Sequence, residues 1–235
     1  MESLKRALLV TGASRGIGLE LAKQYAERGW RVYATCRCPE NAHALTQLAV
    51  SSQGNVSVHP LDVTDLKQIA ALAALLQNTS IDILFNNAGI YGQADAHFGN
   101  TDVEAWLQAF RSNTIGPMKV MEAFVDNVAA SELKIMAVMS SKMGSMADNR
   151  SGGSYVYRSS KAALNAVVKS AAVDLRSRQI ITVALHPGWV KTDMTGPGAL
   201  ITPQESVAGL RAILERLTLD DSGRFFQVDG QEVPW

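Results

Sequence analysis

A short apolar run that leads directly into a glycine-rich turn constrains the fold of this chain more than any other stretch. Residues 7–10 (ALLV) are continuously apolar, and residues 11–18 (TGASRGIG) follow them. Apolar residues then recur at helical spacing at 17, 21, 22 and 25, which predicts strand, tight turn and helix in that order. Glycines there let the main chain approach a pyrophosphate, and a helix N-terminus offers free N–H groups. The stretch therefore predicts a nucleotide-binding βα unit.

The alternation of strand and helix patterns continues to the end of the chain. Helical patterns lie at about 40–50, 64–76, 102–130, 157–178 and 202–217, and Gly116-Pro117 predicts a kink or restart in the third of them. No stretch resembles a linker, so residues 1–235 are expected to form a single domain. We predict an α/β Rossmann fold, doubly wound, with a parallel sheet of about seven strands in the order 3-2-1-4-5-6-7 flanked by helices. Further strands are expected at 31–35, 56–61, 81–85, 133–139, 180–185 and 224–228.

Composition excludes several classes of protein. Lys and Arg total 22 and so do Asp and Glu, so no net charge attracts nucleic acid or an anionic membrane. No apolar run approaches the roughly 18 residues of a membrane span, and residues 1–6 lead directly into a strand, so we expect no cleaved signal. Cys36 and Cys38 are too close to staple a fold and form no metal-spaced set with the four histidines. We expect no metal and a reduced, cytoplasmic setting.

Polar groups follow nearly every predicted strand. In an open parallel sheet, ligands bind in the crevice outside the carboxyl ends of the strands, so these groups should converge on one site. They lie at 12–18, 36–37, 62–63, 86–89, 140–141 and 187–192.

Tyr157 and Lys161 are the candidates for acid–base chemistry. They are four residues apart at the start of a predicted helix and so share one face, whereas Tyr155 points elsewhere. An ammonium beside a phenol favours the phenolate and lowers the pKa of the phenol, which suits tyrosine for proton transfer. Taken alone, the pair is better explained as an ordinary tyrosine and lysine at a helix start. The rest of the chain gives it weight.

The end of the second strand bears on cofactor choice. In a βαβ dinucleotide unit, an acid about 20 residues beyond the glycine turn selects the ribose 2′-hydroxyl. No acid occurs at 35–38; Arg37 lies there instead, and Arg15 lies in the turn. Two guanidinium groups suit a 2′-phosphate, although two solvated surface arginines are the alternative explanation. We predict NADP(H), with NAD(H) as the alternative cofactor.

Six motifs in order resemble the short-chain dehydrogenase/reductase family, and the likeness spans nearly the whole chain. They are TGxxxGxG from Thr11, NNAG at 86–89, Asn113, Ser141, Tyr157-x-x-x-Lys161 and Pro187-Gly188. Within the family, residues 140–145, 148–149, 152–155 and 229–235 resemble the C-factor-like and sniffer-like carbonyl reductases.

The resemblance implies four catalytic residues: Asn113, Ser141, Tyr157 and Lys161. Tyr157 is similar to the family's general acid/base, and Lys161 to the lysine that lowers its pKa and holds the nicotinamide ribose. Ser141 matches the serine that hydrogen-bonds the substrate carbonyl oxygen, and Asn113 the anchor of a water relay. Ser141 lies 16 residues before Tyr157, a longer spacing than in many relatives, and Ser145 is the rival. We favour Ser141 because Ser145 falls beyond Gly144, farther from the strand end.

The resemblance also implies a cofactor-binding set. Asp62 and Val63 correspond to adenine contacts, and Thr192 to the residue that orients the carboxamide. The full set is Gly12, Ser14, Arg15, Gly16, Ile17, Gly18, Arg37, Asp62, Val63, Asn87, Ala88, Gly89, Tyr157, Lys161, Pro187, Gly188, Val190 and Thr192.

These observations predict an NADPH-dependent oxidoreductase that reduces a ketone or aldehyde to an alcohol, or runs the reverse. Its partner would be a small-molecule carbonyl or alcohol substrate, not nucleic acid or membrane. A dinucleotide-binding regulatory protein of C-factor type is the alternative. The short stretch 194–201 suggests an open cleft lined by Tyr91, Trp189 and Met194, unless these belong to the core. Relatives pair through helices matching 102–130 and 157–178, so we expect a homodimer or homotetramer, although the alanine-rich face of the second helix equally suits packing on the sheet.

Overall fold

The computed structural model describes residues 5–235 and contains a seven-stranded sheet whose strand pairs are all parallel. The order β3-β2-β1-β4-β5-β6-β7 confirms the predicted topology. The central strands β1, β4 and β5 are fully buried, as expected for a parallel sheet covered on both faces, whereas the edge strand β3 is mostly part-exposed. They are β1 (Ala7–Val10), β2 (Arg31–Cys36), β3 (Val56–Pro60), β4 (Ile83–Asn86), β5 (Ile135–Met139), β6 (Ile181–His186) and β7 (Phe225–Gln227).

Helices cover both faces of the sheet. Because successive side chains of a strand point to opposite faces, Leu8 and Val10 enter one apolar cluster and Leu9 enters the other. The first cluster packs under α1, α2 and α7, and the second under α3, α5 and α6. The helices are α1 (Gly16–Glu27), α2 (His43–Ser51), α3 (Leu66–Leu75), α4 (Val103–Phe110), α5 (Gly116–Ala129), α6 (Tyr155–Asp174) and α7 (Pro203–Leu214).

The predicted break at Gly116-Pro117 is confirmed, and its form is a π-helical turn. Residues Arg111–Ile115 form this turn between α4 and α5, and Pro117 lies in the first turn of α5, where its missing N–H costs little. Asn113 lies within the turn and is fully buried. The wider turn therefore coincides with one of the candidate site residues.

The strand registers bring the polar segments to one edge. Val10 pairs with Phe85 and Asn86 with Val138, so the segments after β1, β4 and β5 leave the sheet side by side. Within residues 5–235, no helix is both long and apolar enough to cross a membrane. The same part of the chain holds no group of three His, Cys, Asp or Glu side chains placed to bind a metal. The expectation about a leader rests partly on residues 1–4, which lie outside the described residues.

Candidate active site

The glycine turn is fastened to the segment after β4. Gly12 has a φ of 68°, a left-handed conformation that glycine adopts without strain. The Asn87 side chain donates to the carbonyl oxygens of Thr11 and Gly12, both at 3.0 Å, and the main-chain N–H groups of Asn87 and Ala88 donate to Thr11 Oγ1 at 3.0 Å. A Cβ added at Gly18 would overlap the Gly12 carbonyl oxygen and lie 2.5 Å from Asn87 Nδ2. The turn therefore tolerates only glycine at 18.

The turn leaves a row of main-chain donors free. No side chain caps α1, and within residues 5–235 the N–H groups of residues 14–18 donate to no protein acceptor. A helix N-terminus with unsatisfied N–H groups and a positive dipole end binds anions, pyrophosphate among them. These features fit the dinucleotide that the sequence predicts, with Ser14, Gly16 and Ile17 supplying the donors.

The two arginines predicted near a 2′-phosphate have different surroundings. Arg37 lies exposed just after β2, without a salt-bridge partner in the described part of the chain. Arg15 Nε lies 3.4 Å from Asp193 Oδ2, but both side chains are 74% exposed, so this pair contributes little to stability. Arg37 is the better-placed group for a phosphate, since no carboxylate competes for it.

The remaining predicted cofactor residues line the same edge. Asp62 Oδ1 accepts from Thr64 N and Oγ1 at 2.8 and 2.7 Å, and Val63 is buried against Gly116. Thr192, in the loop after β6, lies close to Gly16. A Cβ added at Gly16 would lie 3.4 Å from Thr192 Cγ2. Pro187, Gly188 and Val190 lead into that loop, and Gly89 lies against Asn113 and Lys161.

Tyr157 and Lys161 lie together on the first turns of α6, as their spacing predicts. Lys161 Nζ lies 5.7 Å from the centroid of the Tyr157 ring and donates to Met139 O at 2.7 Å. Lys161 is only 3% exposed. Tyr91 stacks on Tyr157 with the centroids 4.6 Å apart and the planes inclined by 18°. Tyr155 is 37% exposed, and within residues 5–235 its ring stacks on no other aromatic ring.

The expected lowering of the Tyr157 pKa is wrong for the polypeptide by itself. Burial raises the pKa of Tyr157 to about 12, the Ser141 side chain opposes this rise by a hydrogen bond, and Tyr91 adds to it. Burial also lowers the pKa of Lys161 to about 8. Loss of solvation disfavours both the Tyr157 phenolate and the Lys161 ammonium. Lys161 Nζ donates its hydrogen bond to Met139 O rather than to the phenol. Tyr157 as a whole residue is only partly buried, so a substrate can approach it.

The structure separates the candidate serines. Ser141 Oγ accepts from Met143 N at 3.2 Å, which leaves its O–H free to donate, and it lies near enough to influence the Tyr157 phenol. Ser145 Oγ donates to the carbonyl oxygen of Pro234 and accepts from Asp148 N at 3.1 Å. Ser140 Oγ donates to Asn165 Oδ1 at 2.6 Å. This favours Ser141 over Ser145, which anchors the C-terminal segment.

Asn113 joins the segment after β4 to α6. Its amide donates to Ile90 O at 2.8 Å and Ser160 Oγ at 3.0 Å, and its Oδ1 accepts from Ile90 N at 2.8 Å. The side chain therefore holds Gly89 and α6 in a fixed relation. The water relay that the resemblance implies for Asn113 stays a prediction.

Sequence reasoning placed Tyr91 in the cleft but missed its stack on Tyr157. Its position two residues beyond Gly89, after a strand, was the only local signal. Trp189 and Met194 are about half exposed, at 51% and 49%, which excludes the core alternative for these two residues.

Comparisons with known proteins agree with this geometry. A family model described as short chain dehydrogenase matches residues 6–199. C-signal from Myxococcus xanthus is 44% identical over 155 residues, which cover 66% of this chain and 93% of that protein. The structure of carbonyl reductase Sniffer of D. melanogaster is 31% identical with a TM-score of 0.91, covering 98% of this chain and 100% of that one. The structure of NADPH-bound carbonyl reductase from chicken fatty liver is 33% identical with a TM-score of 0.91, covering 98% and 99%. The chain therefore belongs to the short-chain dehydrogenase/reductase family, whose members are nicotinamide-dependent oxidoreductases.

Proposed function

We propose that the protein is an NADPH-dependent reductase of ketones or aldehydes, which also runs in the oxidative direction. The observation that carries the proposal is the meeting of Tyr157, Ser141 and Lys161 at the sheet edge that also holds the free N-terminus of α1. A proton donor, a second hydrogen-bond donor and a cation are there beside an anion-binding turn. Carbonyl reduction requires these groups together with a bound hydride donor.

Carbonyl reduction needs a hydride at carbon and a proton at oxygen, and bound NADPH would supply the hydride. Because the pKa of Tyr157 is raised to about 12, its phenol is protonated at neutral pH and can donate to the substrate oxygen. Ser141 would donate a hydrogen bond to that oxygen as negative charge develops there. The phenolate left behind would be stabilised by the Lys161 cation and reprotonated from solvent.

Two observations support NADPH over NADH. Arg37 is exposed at the end of β2 without a carboxylate partner in residues 5–235, and no acid occurs at 35–38. A structural relative, the chicken carbonyl reductase, binds NADPH.

Replacing Tyr157 by Phe tests the mechanism. The ring and its stack on Tyr91 are kept, so the fold and NADPH affinity should persist, while turnover of a panel of ketones and aldehydes should fall about 10²–10⁴-fold. Tyr155→Phe removes an equivalent hydroxyl two residues away and should retain the unsubstituted rate. Wild-type turnover by Tyr157→Phe would refute the assigned role.

A regulatory role is the second candidate, because C-signal is 44% identical to this chain over most of C-signal's own length. The same carbonyl panel separates the two functions. NADPH binding without turnover of any substrate would favour the regulatory protein. A pure dinucleotide-binding protein has no need of the phenol at Tyr157.

A further inference from the structure

The catalytic tyrosine is one of two rings in a stack. Tyr91 and Tyr157 are 66 residues apart in the chain, yet their centroids lie 4.6 Å apart with the planes only 18° from parallel. Tyr91 belongs to the segment after β4 and Tyr157 to the first turn of α6, so the stack joins two elements of the site. One face of the Tyr157 ring is thereby covered by protein.

Tyr91 is itself held in place from the start of α6. Its hydroxyl lies 3.0 Å from Ser154 Oγ, and Ser154 immediately precedes the helix. Ser154 has a left-handed backbone, with φ 47° and ψ 39°, and its N–H donates to Ala96 O at 2.8 Å. A non-glycine residue in this conformation is maintained only where its surroundings determine it. The Ser154 hydroxyl and its unusual backbone together aim the Tyr91 ring at Tyr157.

We propose that Tyr91 is a positioning residue that fixes the ring plane of Tyr157 and shields one face of its phenol from water. This rests on the proposed function for its catalytic meaning, but the positioning itself is a property of the polypeptide. A stacked ring has little freedom to turn, so the stack holds the plane in which the Tyr157 hydroxyl lies.

Within residues 5–235, three side chains interact with the side chain of Tyr157. They are Ser141 from the segment after β5, Lys161 from α6 and Tyr91 from the segment after β4. Arg158, the next residue along α6, donates instead to the carbonyl oxygens of Gly152 and Met143 and to Ser151 Oγ. Removal of the Tyr91 ring would therefore replace a protein contact with water, remove the charge interaction with the Tyr91 hydroxyl and leave Lys161 and Ser141 in place.

The direct test uses the protein without substrate. With ¹³Cζ-labelled tyrosine, the five tyrosine signals are followed against pH, and the Tyr157 signal is identified by its loss in Tyr157→Phe. In Tyr91→Leu, which keeps apolar bulk but not the stacking face, the Tyr157 signal should begin to titrate about one pH unit lower because the phenolate gains hydration. Tyr91→Phe keeps the stack and removes only the charge interaction with the Tyr91 hydroxyl, so its shift should be clearly smaller than that of Tyr91→Leu.

The kinetic constants kcat and KM show whether Tyr91 positions Tyr157 or only lines the substrate cleft. Tyr91→Leu should lower kcat for carbonyl reduction about 10-fold with a smaller change in KM. Tyr91→Phe and Ser154→Gly each remove one of the two hydroxyls that meet between Tyr91 and Ser154. Glycine adopts the left-handed backbone of residue 154 without strain. Each should cost no more than about 3-fold, and the double variant no more than either alone.

Three outcomes would overturn the proposal: an unchanged Tyr157 titration in Tyr91→Leu, a rise in KM alone, or an absence of Overhauser contacts between the two rings in the unsubstituted protein. The last measurement decides the matter even where Tyr91→Leu folds poorly. Should the unsubstituted protein reduce no carbonyl compound, the proposed function fails, while the titration and ring contacts still decide whether Tyr91 positions Tyr157.

Discussion

The two halves of the site are built in opposite ways. The glycine turn after β1 is made of main chain, and its functional atoms are N–H groups that no protein acceptor uses in the described residues. The catalytic corner, formed by Ser141, Tyr157, Lys161 and Tyr91, is made of side chains from the segment after β5, from α6 and from the segment after β4, and it keeps an amine buried beside a phenol. The glycine turn functions through main-chain N–H groups that have no protein acceptor in the described residues. The catalytic corner functions through side chains that residues distant in sequence hold in place. Substitutions should therefore fail differently in the two halves.

The largest effect on binding is expected from Gly18→Ala in the turn. A Cβ there would overlap the Gly12 carbonyl oxygen and displace Asn87 Nδ2, so the donors of residues 14–18 would lose their alignment. NADPH affinity should fall more than about 100-fold, and overpacking should cost about 1–3 kcal/mol of unfolding free energy. Calorimetric titration and urea unfolding measure the two effects.

Gly29→Ala is the matched control at the other end of α1. Gly29 has a φ of 80° and an added Cβ would meet nothing within 4 Å, so only backbone strain of about 1–2 kcal/mol is expected. NADPH affinity should remain that of the unsubstituted protein. Equal losses of affinity in both variants would show that general destabilisation, not the shape of the turn, limits binding.

An intermediate effect is expected at Arg37, where a side chain supplements the main-chain turn. Losing one charge-assisted contact costs about 1.5–3 kcal/mol, so Arg37→Asp should weaken NADPH roughly 10- to 100-fold and spare or improve NADH. Arg31→Asp makes the same change of charge at the start of the same strand and should affect neither cofactor selectively. Equal affinities of the unsubstituted protein for NADPH and NADH would contradict the assignment.

This contrast also explains what the sequence could predict. The glycine turn and the strand order follow from local periodicity and strand-end position, and the shared face of Tyr157 and Lys161 follows from helical spacing. The raised pKa of Tyr157 was not predictable, because it depends on burial and on Tyr91, 66 residues away.

The pairing of Arg15 with Asp193 and the several hydrogen bonds of Asn113 were missed for the same reason. Each of these contacts joins segments that are distant in sequence, and residue spacing carries no information about which distant segments meet. Main-chain sites can thus be recognised from local sequence, whereas the electrostatics of a side-chain site require the packed structure.

The smallest effect, expected at neutral pH, is the loss of folding stability caused by burying the Lys161 amine in the catalytic corner. The pKa of Lys161 falls from 10.5 to about 8 because the amine is buried, and no carboxylate pairs with it in residues 5–235. Between these values the unfolded chain binds more protons than the folded one. Stability should therefore rise with pH, by up to about 1.4 kcal/mol per unit from this residue.

Lys161→Met removes that titration, and its unfolding free energy should lack the corresponding rise between pH 8 and 10. At pH 7 the variant should be about 1 kcal/mol more stable than the unsubstituted protein, since relief of desolvation exceeds the lost bond to Met139 O, while catalysis falls. Lys169→Met, an exposed lysine on the same helix, should keep the unsubstituted pH dependence. Urea unfolding at pH 7, 8, 9 and 10 compares the three proteins. An unaltered pH slope in Lys161→Met would mean that the amine is hydrated in solution, and the catalytic corner would then resemble the solvent-facing glycine turn more than a buried site.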